Sequence, residues 1–180
     1  YYSDRIRMIC NYAKLNFNII KKIKIVNWKN LNEITEKFDW IIACSTETSC
    51  GLKVPIKDLY KLKKKTKSKL MLDATASIGL EKDHELADVL SFSSCKGLFG
   101  LTGACFICYN VNIYNDVRSF YLKLSNHVEK KMTGPYHTIY SLYSILKNYD
   151  DFRFTVLTNK KKFLKKMKDY LSLPEENQPL

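Results

Sequence analysis

Apolar positions along this chain recur at two spacings, and the places where one spacing gives way to the other lay out most of the elements. Residues 1–15 carry Ile6, Ile9, Cys10 and Ala13 on one helical stripe. Strand-like runs follow at 17–20 and 23–26, then a short helix over 30–38. Trp40-Ile41-Ile42-Ala43-Cys44 is an uninterrupted apolar run, the pattern of a strand covered on both faces. It leads into a polar turn over 45–51. A helix over 56–67 presents Ile56, Leu59, Tyr60 and Leu62 as its buried stripe. Lys69-Leu70-Met71-Leu72 is a short strand that ends in Asp73; 87–92 alternates imperfectly, and Gly97, Gly100 and Gly103 punctuate a turn before a further strand over 104–109. Beyond it the pattern predicts a loop plus a helix or extended aromatic segment over 111–130, broken by Thr133-Gly134-Pro135. A helix over 138–148 follows, with Ile139, Leu142, Tyr143 and Leu146 on one face. Asp150-Asp151 mark a break before a strongly basic helix over 158–171, and Leu173-Pro174-Glu175-Glu176 open a polar tail.

Strands that alternate with short helices predict an α/β architecture with a largely parallel sheet. In such a sheet the ligand crevice lies outside the carboxyl ends of the strands. Asp73 closes one strand and Lys96 follows the next, so a carboxylate and an amine are expected along one sheet edge. For an isolated aspartate the plainer role is to cap the turn that follows. No glycine-rich loop precedes Lys96; its glycines come after it, which is not the order of a phosphate-binding loop.

Composition changes this picture in three respects. The 180 residues suffice for one sizeable core and the start of a second. With 46% hydrophobic and 27% charged residues the chain reads as globular, and no apolar run approaches the roughly 18 to 20 residues of a membrane span. The net charge of +12 invites a nucleic-acid partner, but the basic residues divide into 26 Lys and 4 Arg, and bidentate recognition favours the arginine fork. Lysines in helical segments such as 57–69 and 160–168 are expected on solvated faces, and no nucleic-acid partner is expected. Among the cysteines at 10, 44, 50, 95, 105 and 108, Cys105 and Cys108 have the spacing of a redox or zinc pair. In a strand, residues three apart point to opposite faces, so buried reduced thiols and a reducing, cytoplasmic setting are the expectation, with no metal. His84, His127 and His137 are scattered and read as surface or local hydrogen-bonding residues.

LDATASIG and SFSSCKGLFGLTG resemble the aspartate and Schiff-base-lysine segments of the class V, fold-type-I aminotransferases that use pyridoxal phosphate (PLP). STETSCGLKVPI resembles the family's Glu-Thr/Ser-Thr/Ser-x-Gly turn, and KMTGPYHTIYSLYSIL its Thr-x-Pro segment and following helix. With YYSDRIRMICNYAK at the start, the chain is most similar to 2-aminoethylphosphonate:pyruvate aminotransferases, with alanine:glyoxylate aminotransferases next. Members are roughly twice this length, and the chain begins with Tyr1, so an internal fragment is expected. The family's N-terminal phosphate loop and C-terminal substrate-binding arginine have no counterpart here.

The resemblance implies an incomplete fold-type-I large domain: residues 1–148 as its central part, and 149–180 as a connecting helix with the start of a small C-terminal domain. It implies PLP as cofactor, an amino donor and a keto-acid acceptor as substrates, and a homodimer. Lys96 would attach the cofactor and move a proton, its amine kept neutral by desolvation at the bottom of a crevice. Asp73 would hold the pyridine nitrogen protonated. Thr48 and Ser49 resemble the hydroxyls at the phenolic oxygen, and Tyr2 the aromatic residue that stacks on the ring. Ser94 and Cys95 stand before the lysine, where the family usually shows a stronger hydrogen-bonding side chain than a thiol. Thr133 aligns with a threonine that reaches the cofactor phosphate of the neighbouring subunit. The activity implied is transfer of the amino group of 2-aminoethylphosphonate to pyruvate. The alternatives are alanine and glyoxylate as substrates, an inert truncated domain, or a Lys-rich binding protein.

Overall fold

The computed structural model describes residues 1–18, 20–112, 119–130 and 133–179. Its centre is a four-stranded sheet in the order β1-β4-β5-β6, formed by Trp40–Cys44, Lys69–Asp73, Val89–Ser93 and Cys105–Tyr109. The first three strands are parallel and β6 runs antiparallel to β5. Helix α1 (Tyr2–Phe17) precedes the sheet, and a short antiparallel ribbon, β2 (Thr46–Glu47) with β3 (Leu52–Lys53), extends the turn after β1. Helix α2 (Ile56–Thr66) links β1 to β4, while α3 (Leu124–Glu129), α4 (Tyr136–Leu146) and α5 (Tyr149–Met167) follow β6.

The core lies between α2 and the sheet. Leu70 and Leu72 are fully buried and pack with Ile56, Leu59 and Ala87, edged by Ile41, Ala43, Val54, Leu86 and Leu90. The stripe expected on α2 is the one observed, except that Tyr60 is half-buried and Thr66 takes the last buried position, its hydroxyl donating back to Leu62 O at 2.8 Å.

Several expectations are corrected. No strand forms over 23–26: Lys22 and Lys24 alternate with isoleucine in strand fashion, but both reach across to Glu36 at 2.8 and 2.9 Å, and the segment joins no sheet. The helix expected over 30–38 is a 3-10 segment at Trp28–Glu33, started earlier because the Asn27 side chain accepts from the Lys29 N–H. Strand β1 is covered on one face only; it is an edge strand, and Trp40 and Ile42 are exposed. On α4 the buried residues are Thr138 and Leu142, whereas Ile139, Tyr143 and Leu146 are exposed. The Thr138 hydroxyl donates to Thr102 O at 3.1 Å, which turns that face toward the glycine turn before β6.

Asp150 and Asp151 are not a break. They sit in the first turn of α5, where a carboxylate complements the helix dipole. The tail forms a 3-10 turn at Glu175–Asn177, with Asn177 buried and donating to Lys53 O at 3.0 Å. All the cysteines are free, but three are exposed against the expectation of burial: Cys50 in the turn between β2 and β3, and Cys105 and Cys108 on β6, an edge strand whose positions are mostly uncovered. The sequence expectation over 111–130 falls partly on residues outside those described; within it α3 forms. No helix among the described residues is long and apolar enough to cross a membrane.

Candidate functional site

The parallel strands end abreast. Cys44 of β1 pairs with Asp73 of β4, which pairs with Ser91 of β5, and Lys96 comes three residues after the last residue of β5. The amine and the carboxylate therefore do lie at one end of the sheet. Cys44 registers the local field: burial first, then the Asp73 and Glu47 charges, push its thiol up to about 12, and Lys96 acts in the opposite sense. Four chemically active side chains thus converge on the end of β1.

Lys96 opens a 3-10 turn with left-handed backbone, φ 51°, an arrangement that costs a non-glycine residue about 1–2 kcal/mol. The surrounding contacts hold it there. Gly97 N–H donates to Thr75 O at 3.3 Å, Tyr149 Oη donates to Gly97 O at 2.7 Å, and Gly100 N–H donates to Ser94 O at 2.9 Å. A Cβ on Gly97 would stand 2.5 Å from Ile78 O, so only glycine lets the lysine turn sit this close to the turn after β4. The buried Ser94 hydroxyl donates to Leu101 O at 2.6 Å and accepts from Ala104 N–H at 3.3 Å, and so closes the loop from inside. Cys95 is half-buried, its sulfur 3.1 Å from Ser93 Oγ.

The Lys96 side chain is exposed, not sunk in a crevice. Its amine lies 4.3 Å from the centre of the Tyr2 ring and 3.3 Å from Tyr2 Oη. Tyr2 belongs to the first turn of α1, so a residue 94 positions away supplies the only aromatic face recorded against this amine among the described residues. Asp73 Oδ1 accepts from both the N–H and the hydroxyl of Thr75, at 3.0 and 2.7 Å. That is the turn-capping role of a strand-end aspartate; both bonds fall on Oδ1 and neither on Oδ2.

Of the turn after β1, Thr48 is exposed, and Ser49 donates to Glu47 Oε1 at 2.7 Å. Thr133 is exposed, and the structure does not bring it to Lys96 within this chain. The site residue that sequence reasoning missed is Glu47. It is buried and accepts from the Ser3 N–H at 2.8 Å, the Ser3 hydroxyl at 3.0 Å and Ser49. Burial alone would raise its pKa, but these donors outweigh it and bring the carboxyl down to about 2. Its place in the acidic, hydroxyl-rich turn was visible; its partner 44 positions upstream was not. Also unforeseen are a chain from buried Ser45 Oγ to Ser77 Oγ (2.9 Å) to half-buried His84 Nε2 (2.9 Å), and Thr46 Oγ1, buried without a hydrogen-bond partner among the described residues.

An amine, a carboxylate with one oxygen outside its capping bonds, and an aromatic face at the carboxyl ends of parallel strands form a donor set that fits PLP. The sequence matches no protein-family model and no curated relative. In fold, the chain is similar to pyridoxamine–pyruvate aminotransferase from Mesorhizobium loti, with 18% identity, a TM-score of 0.64, and 89% of this chain aligned to 48% of that one. It is likewise similar to alanine–glyoxylate aminotransferase from Nostoc sp., at 19% identity and a TM-score of 0.63 over 78% of this chain and 44% of that one. A third is phosphoserine aminotransferase, in a structure that records radiation damage of its Schiff base, at 14% and 0.57 over 78% and 42%. At such identities the likeness is one of fold: a mostly parallel sheet flanked by helices, shared with part of each of these enzymes. The chain spans less than half the length of these relatives.

Proposed function

We propose that the protein this chain represents is a PLP-dependent aminotransferase of class V, and that Lys96 is its attachment lysine. The observation that supports this most directly is the convergence of Lys96, Tyr2 and Asp73 at the carboxyl end of the sheet. PLP, when bound, supplies an electron sink that amino-group transfer requires and that no side chain provides. The chain's own residues have three tasks. Lys96 Nζ holds the cofactor and carries a proton as general acid and base, for which its exposure leaves room. Asp73 would hold a proton on the pyridine nitrogen by the attraction of an opposite charge. Tyr2 offers its ring as the surface against which the cofactor plane is fixed.

For the remaining residues, Thr48 and Ser49 are proposed at the phenolic oxygen, with Ser49 already oriented by Glu47. Ser94 and Cys95 act on the cofactor through the shape of the lysine loop, since the Ser94 hydroxyl is engaged within it. Thr133, exposed, suits a contact to a second copy, and a homodimer is proposed on that basis. The substrates proposed are 2-aminoethylphosphonate and pyruvate, which rest on the sequence resemblance; an amino donor paired with glyoxylate is the second reading, favoured by the fold likeness to an alanine–glyoxylate enzyme.

The test is titration with PLP, borohydride reduction and peptide mapping, with Lys96→Ala as control. Label confined to Lys96 and absent from the variant is the expected result. Label spread over surface lysines in proportion to exposure, in this chain and in a longer form of the protein, overturns the assignment. A panel of amino donors and keto acids on the longer form then decides between the two substrate readings.

A further inference from the structure

Among the described residues, the contacts of the Tyr2 side chain across to the sheet end are those with Lys96 itself, its hydroxyl accepting from Nζ at 3.3 Å and its ring centre lying 4.3 Å from it. Tyr2 stands at the start of α1, whose buried residues are none and whose outer positions Met8, Ile9, Tyr12 and Leu15 are exposed. A helix so lightly packed does not place its first turn by burial alone. A half-buried stripe of Tyr2, Ile6, Cys10 and Ala13 lies toward β1, and polar contacts to the turn after β1 fix the first turn: the Tyr1 amine lies 3.5 Å from Glu47 Oε2 and 3.3 Å from Ser49 Oγ. The residue after Tyr2, Ser3, gives both of its donors to Glu47 Oε2, at 2.8 Å from the backbone and 3.0 Å from the hydroxyl. The Ser3 N–H is one of the first-turn amides that lack a partner within the helix, and a carboxylate there also meets the positive end of the helix dipole. The other oxygen of Glu47 is held by Ser49, so the carboxylate is fixed on the sheet side as well as on the helix side.

We propose that Glu47 is a positioning residue: by holding Ser3 it sets the Tyr2 ring over Lys96 Nζ, and so fixes the aromatic face of the site without itself touching the amine. The role of that face toward PLP rests on the reading above; the positioning itself does not. Because donors from both sides keep the carboxyl ionised down to about pH 2, the contact persists across the range in which an aminotransferase works. Three segments far apart in sequence meet here: the start of α1, the turn after β1 and the turn after β5. Among the described residues, the hydrogen bonds that join Tyr2 and Ser3 to the turns at the sheet end are the one Tyr2 Oη accepts from Lys96 and the two Ser3 donates to Glu47.

The experiment reads Lys96 directly and needs no cofactor. Lysines are reductively methylated with 13C-formaldehyde, which keeps their charge, and the Lys96 methyl signal is assigned by its loss in Lys96→Arg. A methylated amine 4.3 Å from a ring centre feels the ring current, so this signal is expected upfield of the other lysines. The displacement is expected to survive in Tyr2→Phe, to vanish in Tyr2→Leu and in Glu47→Ala, and to be reduced in Glu47→Gln, whose amide nitrogen cannot accept. Asp88→Asn, remote from the site, serves as a variant of lowered stability in which the displacement stays. If Glu47→Ala does not fold, Glu47→Met, which removes both acceptor oxygens while filling the space, takes its place with the same expected loss. An unchanged displacement in the folded Glu47 variants overturns the proposal. Failure of PLP labelling at Lys96 in both this chain and the longer form, with the displacement behaving as described, overturns the aminotransferase reading and leaves the positioning intact.

Discussion

Individual residues show how closely the two turns of the site are fitted. Gly79 has φ +75°, and a Cβ there would run into the Tyr149 hydroxyl. Gly51 has a comparable φ of +63° but open space around its Cα. Both substitutions by alanine meet the left-handed backbone penalty of about 1–2 kcal/mol. Only Gly79→Ala also displaces Tyr149, and with it the hydrogen bond to Gly97 O beside Lys96. Overpacking of that kind costs about 1–3 kcal/mol more, so urea denaturation should separate the two variants by that margin. Equal losses would mean that Tyr149 swings away freely and does not brace the lysine turn. Thr46 tests the opposite case. Its hydroxyl is buried with no partner among the described residues, and a buried unsatisfied group costs about 1–3 kcal/mol. Thr46→Val keeps the shape and removes the group, so its midpoint in urea should equal or exceed that of the parent. A clear fall would show that the hydroxyl has a water or other partner.

At the scale of elements, what was legible depended on whether the deciding contact was local. β1, β4 and α2 were read to within a residue, because their patterns report burial against a sheet that sequence period alone predicts. The start of α5 was misread because two aspartates suit a break and a helix N-terminus equally well, and the choice rests on Tyr149 docking on Gly97. The face of α4 was misread for a similar reason: a threonine bond to Thr102 outweighed a larger apolar stripe. Lys96 and Asp73 were visible as polar residues at strand ends, whereas the Glu47–Ser3 contact joins positions that no periodicity relates. One tie between elements is open to a pH test. Asp88 accepts from Lys63 and from the Leu70 N–H, each at 2.7 Å, and so fastens α2 to the entry of β4. Burial works against its charge, but these donors hold its carboxyl below the usual 3.8. A lowered folded pKa means that the contribution is complete above the unfolded value and is lost as pH falls through the folded one. Asp88→Ala should therefore cost about 1–3 kcal/mol near pH 7, and the gap between variant and parent in urea should narrow on acidification below about pH 4. A gap independent of pH would assign the loss to packing.

For the whole molecule, two surface properties oppose each other. The chain carries a net charge of +12, and like-charged copies repel. Yet Met8, Ile9, Tyr12 and Leu15 on α1, and Tyr136, Tyr140 and Tyr143 on α4, are exposed apolar or aromatic positions at helical spacing. Such surface favours association once charge no longer prevents it. Screening decides between them: the Debye length falls from about 10 Å at 0.1 M salt to about 3 Å at 1 M, while apolar attraction does not weaken with salt. Sedimentation velocity at fixed protein concentration should therefore show a rising weight-average size as NaCl is raised across about this range. Binding through the lysines to a polyanion would follow the reverse course, because counterion release makes it weaken with salt. Size that rises while retention on DNA falls would place the lysines as a solvated, repelling coat over a surface made to be covered. A size that falls with salt would show that copies are held together by charge, and the proposed dimer would then have to be built from ion pairs and not from these helix faces.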